Sequence, residues 1–445
     1  MQVSTGKRIL RLALPLILQQ LCLQLQVWID RAMLGHVNAA FFSAVGNTTV
    51  PYHMITSVII AICGGTAILV AQNIGADNLP RVADVAESSF LGNTLLSALA
   101  FFFFLFCSED LFRLMGVQAE ILDYSLSYMR ILSLSLLILG PSATATSVLQ
   151  GLGFTSIIMI SGIAGNLLNI LLDWVFIFGK LGFPALGIEG AAIATVISNF
   201  LSAPLTILYV LRGKNMPVRL HLFRSLPAQL RSYRRVLALG IPSGLEYGLW
   251  NVGNFMLVSY LNRLDMMSAG IYTLVFSIET VPLMIYMGFA NAGLTLVGQE
   301  TGANDPKRAK HAGFLCLAIS LVICLVIGIV FRLFPRQILS LFTDDISILD
   351  ISVPYLVFIV WILFPKAINN VIGLCIRGMG DTRWMLYTQI FGTFFMITAG
   401  YILILRTGLG LSGIFVTLLA DETIRGIANL IRFQTSGKSS LSHTA

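Results

Sequence analysis

Apolar residues occupy this chain in long blocks separated by short polar connections. Runs of about 20 apolar residues, enough to cross a bilayer as a helix, fall near 10–34, 45–72, 86–107, 122–149, 155–179 and 187–211. After a basic linker they resume near 236–260, 270–298, 311–334, 351–376, 383–405 and 409–432. The pattern predicts an all-α polytopic membrane protein of twelve transmembrane helices, six on either side of the linker. The polar positions that interrupt the blocks then become informative. In "NLLNILLDW" (166–174), Asn166, Asn169 and Asp173 are spaced i, i+3, i+7 and share one helix face. A polar stripe on such a helix must point at a partner or at water.

The two sets of six match each other. "VAQNIGADNLPR" (70–81) resembles "VGQETGANDPKR" (297–308), so that Gln72, Gly75, Ala76 and Arg81 stand 227 positions before Gln299, Gly302, Ala303 and Arg308. Pro15 and Pro242 keep that offset, as do Gly151, Gly153 and Thr155 of "QGLGFT" with Gly378, Gly380 and Thr382 of "RGMGDT". "LGIEG" (186–190) matches "LGLSG" (409–413) at an offset of 223. An offset held from residue 15 to residue 155 marks an internal duplication. It also argues against reading Lys7, Arg8, Arg11 and the apolar run after them as a signal peptide, since that run matches an internal helix starting near 236.

The expected organisation is an N-lobe (1–213), a basic cytoplasmic linker (214–235) and a C-lobe (236–445) ending in a short cytoplasmic tail. Six is even, so both halves begin on the same side, and the two six-helix lobes are related by a pseudo-twofold axis along the membrane normal. Lys and Arg cluster on the side of the N-terminus, with Arg212, Lys214, Arg219, Arg224, Arg231, Arg234 and Arg235 in or beside the linker. The positive-inside rule places both termini in the cytoplasm.

Composition narrows the function classes. Only 11% of the residues are charged and 56% are hydrophobic, against roughly 25% charged in a soluble domain; mean hydropathy is +0.85. The net charge of +7 resides in short connections, which excludes nucleic acid as a partner. The six cysteines form no CxxC pair, so neither a zinc site nor a disulfide framework fits. There is no Gly-rich loop ending in GK[ST] and no nucleophile elbow. The expectation is a protein that is not an enzyme and uses neither cofactor nor metal.

The first span reads "LALPLILQQLCLQLQVWIDRAMLGHV", with Pro15 early and Asp30 late; the fifth reads "GNLLNILLDWVFIFG"; the sixth opens "LGIEGAAIATVIS". Together with the "QNIGA" and "QETGA" helix ends and the two glycine turns, these segments resemble the multidrug and toxic compound extrusion family of secondary transporters. The likeness covers about residues 7–432 and is greatest to the prokaryotic DinF-like branch. It implies two six-helix lobes around a central cavity, alternating access and export driven by a proton or sodium gradient, from a cell inner (plasma) membrane and as a monomer. Within that branch Asp30, Asn169, Asp173 and Thr195 match cation-binding positions. One departure stands out: the branch of the family with a glutamate on helix seven places it eight residues after the helix-initial proline, where this chain has Trp250, and Glu246 lies one turn earlier.

Residue counting supports a site independently of the family. At about 1.5 Å per residue, Asp30 and Asp173 both lie roughly 24–27 Å from the inner boundary, and Thr195 also falls in the outer half. Two acids held together away from bulk water can share one proton and yield it when another cation arrives. Asn166, Asn169 and Thr195 add neutral oxygens, and the set around Asp30, Asn169 and Asp173 equally suits sodium. At the duplicated positions stand Leu257, Met396 and Gly400, so the second half has lost this set.

In the second half, Glu246, Glu279 and Lys366 lie inside spans, and Asp421 and Arg425 form an i, i+4 pair beside Glu422. Either these groups neutralise one another, or Glu246 or Glu279 faces a cavity and binds the substrate's charge, with Lys366 as internal counter-ion. Trp250 and Tyr52 are expected to line the cavity. The function expected is a secondary antiporter that exports small amphipathic, often cationic organic compounds across the lipid bilayer in exchange for H+ or Na+. The alternative is a lipid-linked precursor flippase of the same superfamily, which would want a wide basic cavity.

Overall fold

Inside a bilayer a backbone amide finds no water, so it must bond within its own helix. The computed structural model describes residues 4–37, 39–220 and 226–436, and among the described residues it is helical with no strand. The expected C-terminal tail beyond residue 436 and linker residues 221–225, including Arg224, lie outside the described residues.

The first half contains α1 (Thr5–Val37), α2 (Ala39–Gly75), α3 (Leu79–Leu114), α4 (Ala119–Ser133), α5 (Ser135–Leu152), α6 (Thr155–Phe178) and α7 (Gly187–Arg212). The second contains α8 (Leu226–Asn262), α9 (Met266–Gly302), α10 (Pro306–Leu333), the single-turn α11 (Pro335–Leu339), α12 (Ile346–Gly378), α13 (Thr382–Gly400, continuing as a π-helical turn Tyr401–Arg406) and α14 (Leu411–Thr435). Ten helices among the described residues are long and apolar enough to cross a membrane, which makes this a multi-pass membrane protein. α8 and α14 are comparably long but are interrupted by polar side chains, Glu246 and Asn251 in one and Asp421, Glu422 and Arg425 in the other.

The fourth expected span is two helices. The α4–α5 break falls at Leu134, where the bonds tighten to i−3 (Leu134 N to Ile131 O, 3.1 Å; Leu137 N to Leu134 O, 3.1 Å). Ser133 bonds the Arg130 carbonyl at 2.8 Å and competes with the helical ladder there.

The repeat is visible in the turns. Asp77 and Asn304, one offset apart, both have left-handed backbones (φ 54° and 57°), a conformation Asn and Asp tolerate better than most residues. The following residues, Asn78 and Asp305, cap α3 and α10 by accepting from Arg81 N (3.2 Å) and Arg308 N (3.0 Å). Gly153 and Gly380, again one offset apart, end α5 and the α12–α13 turn at φ 87° and 92°. Outside the spans, Asp265 caps α9 by accepting from the Ser268 amide, and this bond holds its carboxyl below the usual range.

The chain forms two compact units, one of Leu18–Gly244 and one of Met1–Ile17 with Leu245–Ala445. α1 and α8 each contribute to both, and each division falls two residues after the helix proline, Pro15 or Pro242. In the Leu18–Gly244 unit, Phe104, Phe112, Met129 and Leu136 form a dry core. Beside it, Gly140 of α5 sits against the Asn93 carbonyl of α3, where a Cβ would lie 2.3 Å from that oxygen. Asn93 donates to Thr144 (2.9 Å) and accepts from Tyr233 (2.8 Å). In the other unit, Gly378 of α12 lies against the Leu294 carbonyl of α9, which a Cβ would meet at 2.5 Å. Small residues at such crossings are how membrane helices approach closely. Phe106, Phe255 and Phe394 lie more than 70% exposed on helix faces that a bilayer would cover.

Replacing Gly140 by Ala is expected to destabilise the protein by about 1–3 kcal/mol through overpacking. Gly64→Ala, where a Cβ meets nothing within 4 Å, should leave the thermal midpoint unchanged or slightly raised. Thermal unfolding of the two variants in one detergent, side by side, checks this contrast.

Candidate functional site

In the Leu18–Gly244 unit, the polar stripe of α6 meets a second polar stripe on α1. Gln19, Leu23, Gln26 and Asp30 follow one another at helical spacing on α1, and all four line a cavity of about 440 Å3. Asn166 and Asn169 of α6 and Thr195 of α7 line the same cavity. Gly162 and Gly165 on α6 leave room for this: a Cβ at Gly162 would lie 2.6 Å from Gln19 Cγ, and one at Gly165 2.8 Å from Ser202 Oγ.

The Asp30 and Asp173 carboxyls stand within hydrogen-bonding reach of each other. Asp173 is 1% exposed and lies behind Asp30, which borders the cavity. Gln26 holds the pair in register. Its Nε2 donates to Asp30 Oδ2 (3.1 Å) and to Asn169 Oδ1. With its amide turned to satisfy its neighbours, Asn166 donates to Gln26 Oε1 (3.0 Å) and to the Gly162 carbonyl (3.2 Å). Asn169 Nδ2 points at Thr195 Oγ1 at 3.5 Å, and Thr195 donates to the Ala191 carbonyl one turn back at 3.0 Å.

Asp30 Oδ1 and Asp173 Oδ1 are buried with no hydrogen-bond donor among the described residues. Among the described residues no Lys or Arg lines the cavity, and His53 is the basic side chain that does. Two carboxyls thus touch with no ion pair to a Lys or Arg among the described residues, an arrangement that like-charge repulsion in a low dielectric forbids if both are charged and no cation intervenes. A shared proton meets the need. So does a hard cation such as sodium, for which the two carboxylates, Asn169 Oδ1 and Thr195 Oγ1 are suitable oxygen donors.

All five residues expected at this site are therefore neighbours. Asn166 acts through Gln26, and Thr195 is the most loosely held. Gln26 was not anticipated from the sequence. Its signal was present, one turn before Asp30 on the same face, but in a glutamine-rich helix it did not stand out. Tyr52 lines this cavity too, so it does not accompany the other four residues expected to contact substrate.

Those four belong to the other unit. Glu246, Trp250 and Lys366 line a cavity of about 190 Å3, whereas Glu279 is 3% exposed and does not line it. Lys366 Nζ donates to Glu279 Oε1 at 2.7 Å and stands 5.5 Å from the centre of the Phe276 ring. Arg377, on the same helix as Lys366, lies 2.6 Å from Glu246 and over Tyr247. Neither Glu246 nor Glu279 is a free acid, because each holds a base. On α14, Arg425 makes a forked contact with Asp421 (Nε–Oδ1 3.1 Å, Nη2–Oδ2 2.7 Å) and donates to Gln389 at 2.7 Å. Gly392 makes room for this pair, since a Cβ there would lie 2.7 Å from both residues. Glu422 accepts from Asn369 at 2.7 Å, and Asn369 in turn accepts from Asn429 at 2.7 Å.

Comparison with known proteins agrees with this architecture. The chain is 28% identical over 438 residues to a protein named "Probable multidrug resistance protein NorM" from Thermotoga maritima, covering 97% of this chain and 92% of that one. It is 27% identical to "Probable multidrug resistance protein YoeA" from Bacillus subtilis, over 82% of this chain and 79% of that one. Among solved structures, an outward-facing multidrug resistance MATE family transporter superposes with a TM-score of 0.90 at 23% identity, over 97% of this chain and 96% of the other. A MOP superfamily transporter from Pyrococcus furiosus superposes equally well, with the same TM-score, identity and coverage. These two structures share the fold. The MatE family model matches residues 15–175 and again residues 242–402, two segments displaced by the 227 positions of the internal repeat. Matched twice and in register with its own duplication, the chain belongs to the MatE family, the multidrug and toxic compound extrusion transporters.

Proposed function

We propose that this transporter is a secondary antiporter of twelve membrane-crossing helices, with α8 and α14 completing the ten apolar spans. It exports amphipathic, often cationic organic molecules from the cytoplasm across the inner membrane, as a monomer with both termini cytoplasmic. Export is driven by H+ or Na+ entering by alternating access, through rocking of the N-lobe (1–213) and C-lobe (236–445) joined by the linker. The observation that carries this reading is the contact of Asp30 with Asp173 at the wall of a cavity that no Lys or Arg lines among the described residues. Such a pair needs one cation. If an inward-moving cation occupies it in one state and a cationic substrate displaces or restructures it in the other, the two fluxes are coupled.

The chain's own residues supply each part. Asp30 and Asp173 hold the ion. Gln26 positions Asp30 against Asn169. Asn166 fixes Gln26 from the opposite side. A lipid-linked precursor flippase would need unpaired basic groups for pyrophosphate; among the described residues no Lys or Arg lines the larger cavity, and the bases around the smaller one each hold an acid.

The test is export by purified protein in liposomes, with a proton gradient and a sodium gradient imposed separately. Asp173→Asn should reduce gradient-driven export of a fluorescent organic cation to background while the protein elutes as wild type. Full export by that variant would reject the assignment, and the gradient that drives the wild type identifies the ion. Gln26→Leu removes a hydrogen bond to a carboxylate, worth about 1.5–3 kcal/mol. Its export rate should fall about tenfold or more at an unchanged melting temperature.

A further inference from the structure

The turn between α3 and α4 recurs in the second half with different charges. α3 and α10 begin 227 positions apart, and so do α4 and α12, so the repeat register holds through this turn. In the second half Arg336 pairs with Asp350 across the turn. The equivalent positions in the first half are Glu109 and Asp123, two acids. Glu109 holds Arg113, one turn along α3, at 2.7 Å. Asp123 has no ion pair among the described residues. Where the second half supplies its own guanidinium, the first leaves an acid without a cation.

Glu109, Arg113, Asp123, Ser127 and Arg130 line an open cavity of about 600 Å3, together with apolar groups such as Leu126. Asp123, Ser127 and Arg130 recur at helical spacing and share one face of α4. Arg130 is exposed and, like Asp123, has no ion pair among the described residues. The second half has Val357 at its position, so this base belongs to the first half alone. Seven residues separate Asp123 from Arg130, about 10 Å along the helix axis. The order of these charges follows the membrane. Phe102 and Phe106, just before Glu109 on α3, and Leu134 and Leu137, just after Arg130, are exposed apolar side chains. Arg130 therefore stands where the lipid-facing surface ends, and Asp123 stands two turns farther toward the end of the span.

We propose that this cavity binds the headgroup of an ethanolamine phospholipid, in the leaflet where α3 ends and α4 begins. The lipid phosphate meets Arg130, and the ammonium group meets Asp123 and Glu109, taking the part that Arg336 plays in the second half. The acyl chains lie along the exposed apolar side chains of α3 and α5. This order is the lipid's own, because its phosphate adjoins the glycerol and its amine lies farthest from the hydrocarbon. A choline headgroup carries the same charges but has no N–H to donate to a carboxylate. A glycerol headgroup brings no cation to Asp123. The proposal rests on the multi-pass membrane architecture and not on the export reading.

The test uses the full chain, stripped of lipid in detergent, with native mass spectrometry of the lipid it takes up again. Wild type should bind dioleoyl phosphatidylethanolamine about tenfold more tightly than phosphatidylcholine or phosphatidylglycerol with the same chains, the effect of one hydrogen bond to a charged group. Asp123→Asn should lower the affinity for the ethanolamine lipid to that for the choline lipid. Arg130→Gln should weaken the binding of all three lipids. Arg332→Gln, at an exposed arginine near the end of α10, should change none of them. Equal affinity of the wild type for the ethanolamine and choline lipids overturns the proposal, as does tighter binding of the glycerol lipid. So does an ethanolamine preference that survives Asp123→Asn, undiminished binding in Arg130→Gln, or an equal loss in Arg332→Gln. The comparison of lipids on the wild type uses unmodified protein, so a variant that fails to fold does not block the test.

Discussion

Two carboxyl groups in contact, buried and with no Lys or Arg lining their cavity among the described residues, are the constraint around which the Leu18–Gly244 unit is arranged. Asp30 and Asp173 cannot both stay charged there unless something positive sits between them. Other features of the unit follow from holding that pair. Gly162 and Gly165 let α6 lie close enough for its stripe to meet that of α1. Gln26 spends both sides of its amide on fixing Asp30, Asn169 and Asn166. The cavity beside Asp30 leaves open space against a group that would otherwise be sealed. A purely structural role would favour a base next to the acids, and the other unit does this with each of its own pairs.

Much of this was legible from residue spacing. The apolar blocks announced the helices because nothing else satisfies a backbone in hydrocarbon. The duplicated turns were legible because positive-φ glycines and capping side chains tolerate few substitutes, and Asp77 with Asn304, and Gly153 with Gly380, adopt matching conformations. Asn166, Asn169 and Asp173 stood out as polar residues at helical spacing, and equal depth suggested that Asp30 would be near them. The break at Leu134 was not legible, because its cause is the local competition of a serine hydroxyl for a carbonyl inside an apolar run. Gln26 was hidden among Gln19, Gln20 and Gln24, since only the rotation of α1 decides which glutamine faces inward. The placement of Tyr52 apart from Glu246 and Lys366 depends on which helices surround each cavity, and a linear sequence carries no such information.

The charged residues of the second half illustrate a subtler limit. Their number was readable, and so was the i, i+4 relation of Asp421 to Arg425. Their pairing was not, because Glu246 meets Arg377 across 131 positions and Glu279 meets Lys366 across 87. Once the pairs are known, the two acids that looked most suited to substrate are each seen to hold a base.

Duplication frees one copy of a site to change while the other keeps its task. In this chain the positions that enclose a cavity are shared between the halves, but the side chains at them follow opposite strategies. The first half brings two acids together at a cavity that no Lys or Arg lines among the described residues. The second half surrounds its cavity with ion pairs, each of which locks one helix to another: α9 to α12 through Glu279 and Lys366, and α8 to α12 through Glu246 and Arg377. Breaking such a pair strands a buried charge, which makes those helices costly to separate. The second half is thus fastened by charge from helix to helix, whereas in the first half neutral amides surround an acid pair. The two halves therefore satisfy their buried charges in different ways, although one sequence repeat runs through both.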